Sequence, residues 1–171
     1  MKAKGVLQEA KELNRKYKLI RNGDRVLDLG CWPGSWLQAS AKIASEVVGV
    51  DIRNTNVNLK NVDTYNMDVF NDKILDLGKF DVVLSDLAPR TTGNAELDKL
   101  RSYELSTRAF EIASKMLNNG GNFLVKIFQG ENSNNLLNEM RRKFDFAKAS
   151  KPSASKKKSK EIYFVGVGYR G

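Results

Sequence analysis

Histidine is absent from this 171-residue chain and cysteine occurs once, at Cys31. Without histidine there can be no Ser-His-Asp or Cys-His relay, and the commonest zinc sites are excluded. A single cysteine closes no internal disulfide and builds no thiolate cluster. No apolar run approaches the ~20 residues that cross a bilayer, so no membrane association is expected. The opening Met1-Lys-Ala-Lys-Gly5 leads straight into mixed, charged sequence. No signal peptide is expected from it, and the expected location is cytoplasmic. Chemistry falls to Lys, Asp, Glu, Tyr, Ser or a bound cofactor, and nothing calls for a metal.

Positive charge, by contrast, is plentiful: 29 Lys and Arg oppose 20 Asp and Glu, a net of +9. It is unevenly spread. Residues 1–25 hold eight basic and three acidic residues, and 141–160 nine basic and one acidic. The stretch 26–140 is mildly acidic, with eleven basic and fifteen acidic. An acidic body between basic flanks suits a polyanion held by the flanks. A solvated surface accounts for the composition equally well.

The length argues for one domain over 1–171, burying about 70% of its unfolded surface. Within it, 1–20 reads as a basic helical segment and 150–160 as a basic loop. Strand-like and helix-like stretches alternate between them. Strands are expected at 25–30, 46–51, 62–68, 80–86 and 122–128, and helices at about 35–43, 96–117 and 133–143. Asn118-Asn-Gly-Gly121 reads as the C-cap of the long helix. Phe144–Ala149 and Glu161–Gly168 read as a final antiparallel pair. The expected fold is α/β: a doubly wound, mostly parallel seven-stranded sheet with that hairpin at one edge.

Ligands of such sheets bind outside the carboxyl ends of the strands. Asp28, Asp51 and Asp86 all fall there, and Asp68 ends the third strand. Gly30 and Gly34 allow a tight turn after the first strand, and Asp51 suits a ribose diol. The middle glycine of G-x-G-x-x-G is missing and Trp32 sits in its neighbourhood, against both NAD and a P-loop. A cofactor without a pyrophosphate, S-adenosylmethionine, fits better, with Asp68 placed towards its adenine. One residue in the fifth strand stands out. Lys126 interrupts the apolar run Asn122–Phe128, and an unpaired ammonium is expensive to bury. Asp86 and Glu161 are placed to flank it.

Asp28-Leu-Gly-Cys-Trp-Pro-Gly-Ser-Trp36, Ser85-Asp-Leu-Ala-Pro89 with Gly93, Arg101-Ser102, Val125-Lys-Ile-Phe-Gln-Gly130, Lys151-Pro-Ser-Ala-Ser155 and Ser159-Lys-Glu161 stand in order. With these motifs the chain resembles the FtsJ (RrmJ) family of S-adenosylmethionine-dependent ribosomal RNA 2′-O-ribose methyltransferases, over about residues 12–168. The resemblance implies a Rossmann-like fold and methyl transfer to a ribose 2′-hydroxyl, most closely of a uridine in large-subunit ribosomal RNA. It implies a Lys-Asp-Lys-Glu tetrad whose last three members are Asp86, Lys126 and Glu161. Cofactor positions carry over to Gly34, Trp36, Asp51, Asp68 and Asp86, beside Gly30. The family's Ser-Arg-x-x-x-Lys-Leu segment is missing. Counting back from Asp28 puts its lysine at Glu9, aligning Lys4-Gly5 with its arginine and small residue puts it at Gln8, and the nearest lysine is Lys11.

In the implied reaction Lys126 orients the 2′-hydroxyl, either as a neutral base or as a charged stabiliser of the alkoxide. RNA would be held by the basic first helix and by Lys156-Lys-Lys158-Ser-Lys160. The partner would be ribosomal RNA within the large subunit, with no DNA, and the protein a monomer. Alternatives are methylation of transfer RNA or an mRNA cap, or a non-catalytic RNA-binding ribosome-assembly factor.

Overall fold

The chain runs α1 (Lys2–Tyr17), β1 (Arg25–Leu29), α2 (Ser35–Ala41), β2 (Glu46–Asp51), β3 (Val62–Asn66), a short 3-10 turn (Asp72–Leu77) and β4 (Phe80–Ser85). It continues through α3 (Ala95–Met116), β5 (Leu117–Phe128), α4 (Ser133–Lys143), β6 (Phe144–Ser150) and β7 (Glu161–Tyr169). This computed structural model describes residues 2–153, 155 and 157–171, with side chains from Gly5 onward. All seven strands form one sheet in the order β3-β2-β1-β4-β5-β7-β6. The first five are parallel, and β7 is antiparallel to both β5 and β6. β7 therefore enters between β5 and β6, and the expected hairpin closes one edge.

Residue parity divides the core in two, as the two-residue period of a strand demands. Leu27, Val48, Val83, Val125 and Phe164 face α3, α4 and the 3-10 turn. Val26, Val47, Val82, Leu124 and Val165 face α1 and α2. Asp28, Asp86, Lys126 and Glu161 share the parity of that second set. β3 differs from the central strands because it is an edge, and four of its five residues are exposed.

One expectation fails. Asn118-Asn-Gly-Gly121 does not cap α3; the helix ends at Leu117, already extended, whose N–H bonds the Ala113 carbonyl. The tetrapeptide lies inside a longer β5, where the register with β4 slips between Phe80 and Val82. Gly121 explains how: a Cβ there would sit 2.7 Å from the Asp81 carbonyl oxygen. The sequence marked a close backbone approach, not a helix stop. Buried Asn122 then ties the strand to the loop after α1 and to β7, donating to the Leu19 carbonyl (2.8 Å) and accepting from Gly168 N–H (3.2 Å).

Gly166 of β7 tests the packing of the antiparallel end. A Cβ there would lie 2.9–3.0 Å from three Phe144 ring carbons, and that ring is stacked on Phe123 and cannot retreat freely. Gly166→Ala is expected to lower unfolding stability by about 1–3 kcal/mol, the usual cost of overpacking. Urea titration would show it as a lower midpoint at unchanged slope.

Candidate active site

The register builds the site. Ser85 pairs with Val125, so Asp86 emerges beside Lys126 at the carboxyl end of the parallel strands. On the other side Lys126 pairs with Tyr163, and Phe128 with Glu161. The Lys126 Nζ stands 3.1 Å from Asp86 Oδ1 and 3.6 Å from Glu161 Oε1, with its side chain only 10% exposed. α3 steadies the strand from behind: Ser106 donates to the Lys126 carbonyl (3.2 Å) and Ser102 accepts from Phe128 N–H (2.9 Å).

Burial alone would push the Lys126 ammonium towards neutrality, but Asp86, Glu161 and, more weakly, Glu9 outweigh it. Its pKa ends above the ordinary lysine value, so the resting side chain is charged. Asp86 is raised by burial, an effect that Lys126 opposes and Glu161 and Glu9 reinforce. Two further residues complete the cluster. The Tyr163 hydroxyl lies 3.0 Å from Glu9 Oε2 and 3.4 Å from Asp86 Oδ1. Burial, then Asp86 and Glu9, hold that phenol neutral by raising its pKa well above the usual value. Tyr163 went unnoticed in the sequence, though its spacing of two from Glu161 places both on one strand face.

Next to this cluster is the turn after β1. Gly30 has φ 75°, and a Cβ there would meet Leu87 at 2.9 Å, so the turn is a place of close approach. Gly34, at φ 120°, would strike Val57 at 2.5 Å. Asp51 receives Trp32 N–H on one oxygen (3.0 Å) and Arg53 N–H on the other (2.8 Å), which fixes the carboxylate at the strand end. Asp68 lies beyond β3 in a turn, exposed, accepting from Phe70 N–H (3.0 Å). The Trp36 ring is buried in the core, 6.5 Å from Tyr163.

Asp28 is the residue the sequence undervalued. It is fully buried, and neither carboxylate oxygen has a hydrogen-bond partner among the described residues. Burial first, then the nearby Asp86 and Asp51, raises its pKa well above the usual range. An orphaned acceptor at the rim of a ligand-binding sheet suits a cationic group, such as the ammonium of a methionine moiety. The donor set here, with Asp28 at one end and Asp51 at the other, fits S-adenosylmethionine on these grounds. Cys31 is buried, with its thiol pushed up to about 12 chiefly by burial.

The chain is similar to proteins already described. The sequence model of the family described as FtsJ-like methyltransferase matches residues 10–169. A ribosomal RNA large subunit methyltransferase E of Archaeoglobus fulgidus is 43% identical over 93% of this chain and 85% of its own. One from Nitratidesulfovibrio vulgaris is 40% identical over 94% and 84%. Among solved structures, a Plasmodium falciparum protein described as a ribosomal RNA methyltransferase superposes with TM-score 0.83 at 27% identity, covering 96% of both chains. The fold is that of an α/β methyltransferase. This chain belongs to the FtsJ-like methyltransferase family, whose members depend on S-adenosylmethionine.

Asp28 makes stability sensitive to pH. A carboxyl whose folded-state pKa is raised binds more protons folded than unfolded, so its contribution declines as pH climbs from the ordinary carboxylate range towards the folded value. Asp28→Asn, which cannot ionise, is expected to flatten the fall in stability as pH rises above the ordinary carboxylate range. Melting curves across that range check it.

Proposed function

We propose that the protein transfers the methyl group of S-adenosylmethionine to a ribose 2′-hydroxyl of large-subunit ribosomal RNA, at a uridine. The observation that carries this reading is the ammonium of Lys126 held between Asp86 and Glu161 at the carboxyl rim of the sheet. The names of the relatives favour ribosomal RNA over transfer RNA or an mRNA cap.

S-adenosylmethionine supplies an already activated sulfonium methyl, so the protein must align atoms and manage one proton. Asp28 would hold the cofactor's ammonium, Asp51 its ribose hydroxyls through the lone pairs left by two amides, and Asp68 its adenine. Gly30 and Gly34 keep the turn close to it, and Trp36, its ring in the core, contributes main chain alone. Lys126 donates to the 2′-oxygen and stabilises the negative charge that develops there. Asp86, whose proton affinity burial has raised, is the adjacent acceptor for the hydroxyl proton. Glu161 keeps Lys126 charged and in place.

RNA is held at the flanks. Lys11, Arg15, Lys16, Lys18 and Arg21 are exposed on and after α1, and Lys151, Lys157, Lys158 and Lys160 on the segment before β7. Lys156, from the same run, lies outside the described residues. The two basic surfaces are fastened together. Glu12 Oε1 accepts from Ser153 N–H (3.0 Å) and its hydroxyl (2.9 Å). Flexible lysines hold phosphates without reading bases.

Two measurements test the reading. Lys126→Ala is expected to lower methyl transfer to undermethylated large ribosomal subunits by at least about 10²-fold, the scale of losing one oxyanion donor. Calorimetry should show cofactor affinity unchanged; full turnover in the variant refutes the assignment. Replacing Lys157, Lys158 and Lys160 together by Ala should reduce the slope of log affinity for RNA against log salt by about 2–3, at roughly 0.7–0.9 per phosphate contact.

A further inference from the structure

Glu9 falls where the gapless count places the family's first lysine, and a carboxylate there reverses the charge. It is not a bystander. Its Oε2 lies 3.0 Å from the buried Tyr163 hydroxyl and its Oε1 2.9 Å from the Ser155 hydroxyl. It thus touches the catalytic cluster on one side and the basic segment 151–160 on the other. One turn further along α1, Glu12 grips the same segment through Ser153.

Tyr163 has one proton and two carboxylates within reach, and a phenol can donate to only one of them at a time. The shorter contact is to Glu9, at 3.0 Å against 3.4 Å for Asp86. With the proton directed at Glu9, Asp86 keeps Lys126 as its strong partner and retains its own capacity to accept a proton. We propose that Glu9 is a positioning residue for methyl transfer, drawing the Tyr163 hydroxyl away from Asp86 while anchoring the basic RNA-holding segment through Ser155. The proposal rests on the assignment of Asp86 and Lys126 made above. Glu9 touches neither RNA nor cofactor in this role; it acts through Tyr163 and the segment.

Its charge has a direction of effect. Among the described residues, the titratable groups facing Lys126 are Asp86 beyond β4, Glu161 and Tyr163 on β7, and Glu9 on α1. Glu9 raises the proton affinity of both Lys126 and Asp86. Its neutralisation lowers both, so both limbs of a pH–rate profile move towards acid. A residue that merely braced α1 would change stability and leave the limbs in place.

The test compares wild type with Glu9→Gln, Glu9→Lys, Tyr163→Phe and Lys126→Ala, on undermethylated large ribosomal subunits. Glu9→Gln is expected to lower kcat about tenfold, shift both limbs to lower pH, raise KM for RNA and leave calorimetric cofactor affinity unchanged. In the Tyr163→Phe background, Glu9→Gln should cost little further kcat yet still raise KM, because the Ser155 contact is independent of the phenol. Unmoved kcat and limbs in Glu9→Gln, with Lys126→Ala inactive, overturn the proposal alone. Activity in Lys126→Ala removes the underlying site assignment instead. A Glu9→Lys variant faster than wild type also overturns the proposal, because Glu9 would then be a forfeited substrate contact. Cofactor affinity unchanged in every Glu9 variant serves as the folding control.

Discussion

A buried ammonium organises this molecule. Taking a lysine head group out of water costs several kcal/mol unless carboxylates and hydrogen bonds replace the solvent. Lys126 sits in the middle of the sheet, and the fold surrounds it with what it needs. Asp86 comes from the parallel neighbour β4, Glu161 from the antiparallel neighbour β7, and Glu9 from the helix packed over that face. No two of these are close in sequence. The insertion of β7 between β5 and β6 brings the second carboxylate to the lysine, and α3 holds the strand's rim with two serine hydroxyls.

Charge is sorted across the surface accordingly. The rim carries several carboxylates, whereas exposed cations cluster, among other places, on and after α1 and on the segment before β7. RNA is a polyanion, and a site with excess negative charge does not welcome phosphate. On the proposed reading, the neutral ribose edge is the part of the substrate that the rim would tolerate, while phosphates would settle on the flanks. Attraction and repulsion together would then orient the chain of nucleotides before any base is read.

Much of this was visible in the residues. Continuous apolar strands alternating with amphipathic helices announced the parallel sheet, and a lysine inside Asn122–Phe128 demanded partners that Asp86 and Glu161 supply. Other features were hidden for physical reasons. Asn118-Asn-Gly-Gly121 has the composition of a helix stop, and only the Asp81 carbonyl pressing on Gly121 shows it to be strand. Asp28 looked like an ordinary strand terminus because burial depth, which makes it an orphan, depends on α1 and α2 closing over it. That the Trp36 ring faces the core was not legible either, since helix orientation is fixed by packing. Glu9 and Tyr163 meet across 154 residues. No local pattern encodes such a contact, and the sign of the Lys126 charge follows chiefly from Asp86 and Glu161, with Glu9 adding to them.

The sheet order also bears on how the molecule is made. β7 follows β6 in sequence and is yet an interior strand, flanked by β5 and β6. During synthesis β5 must wait with an open edge, rich in apolar side chains, until residues 161–169 emerge to cover it. Such an edge invites pairing with other chains. A nascent or prematurely terminated polypeptide therefore lacks Glu161 and Tyr163 and exposes a sticky ribbon. A molecule able to do chemistry is, by construction, one whose translation reached β7.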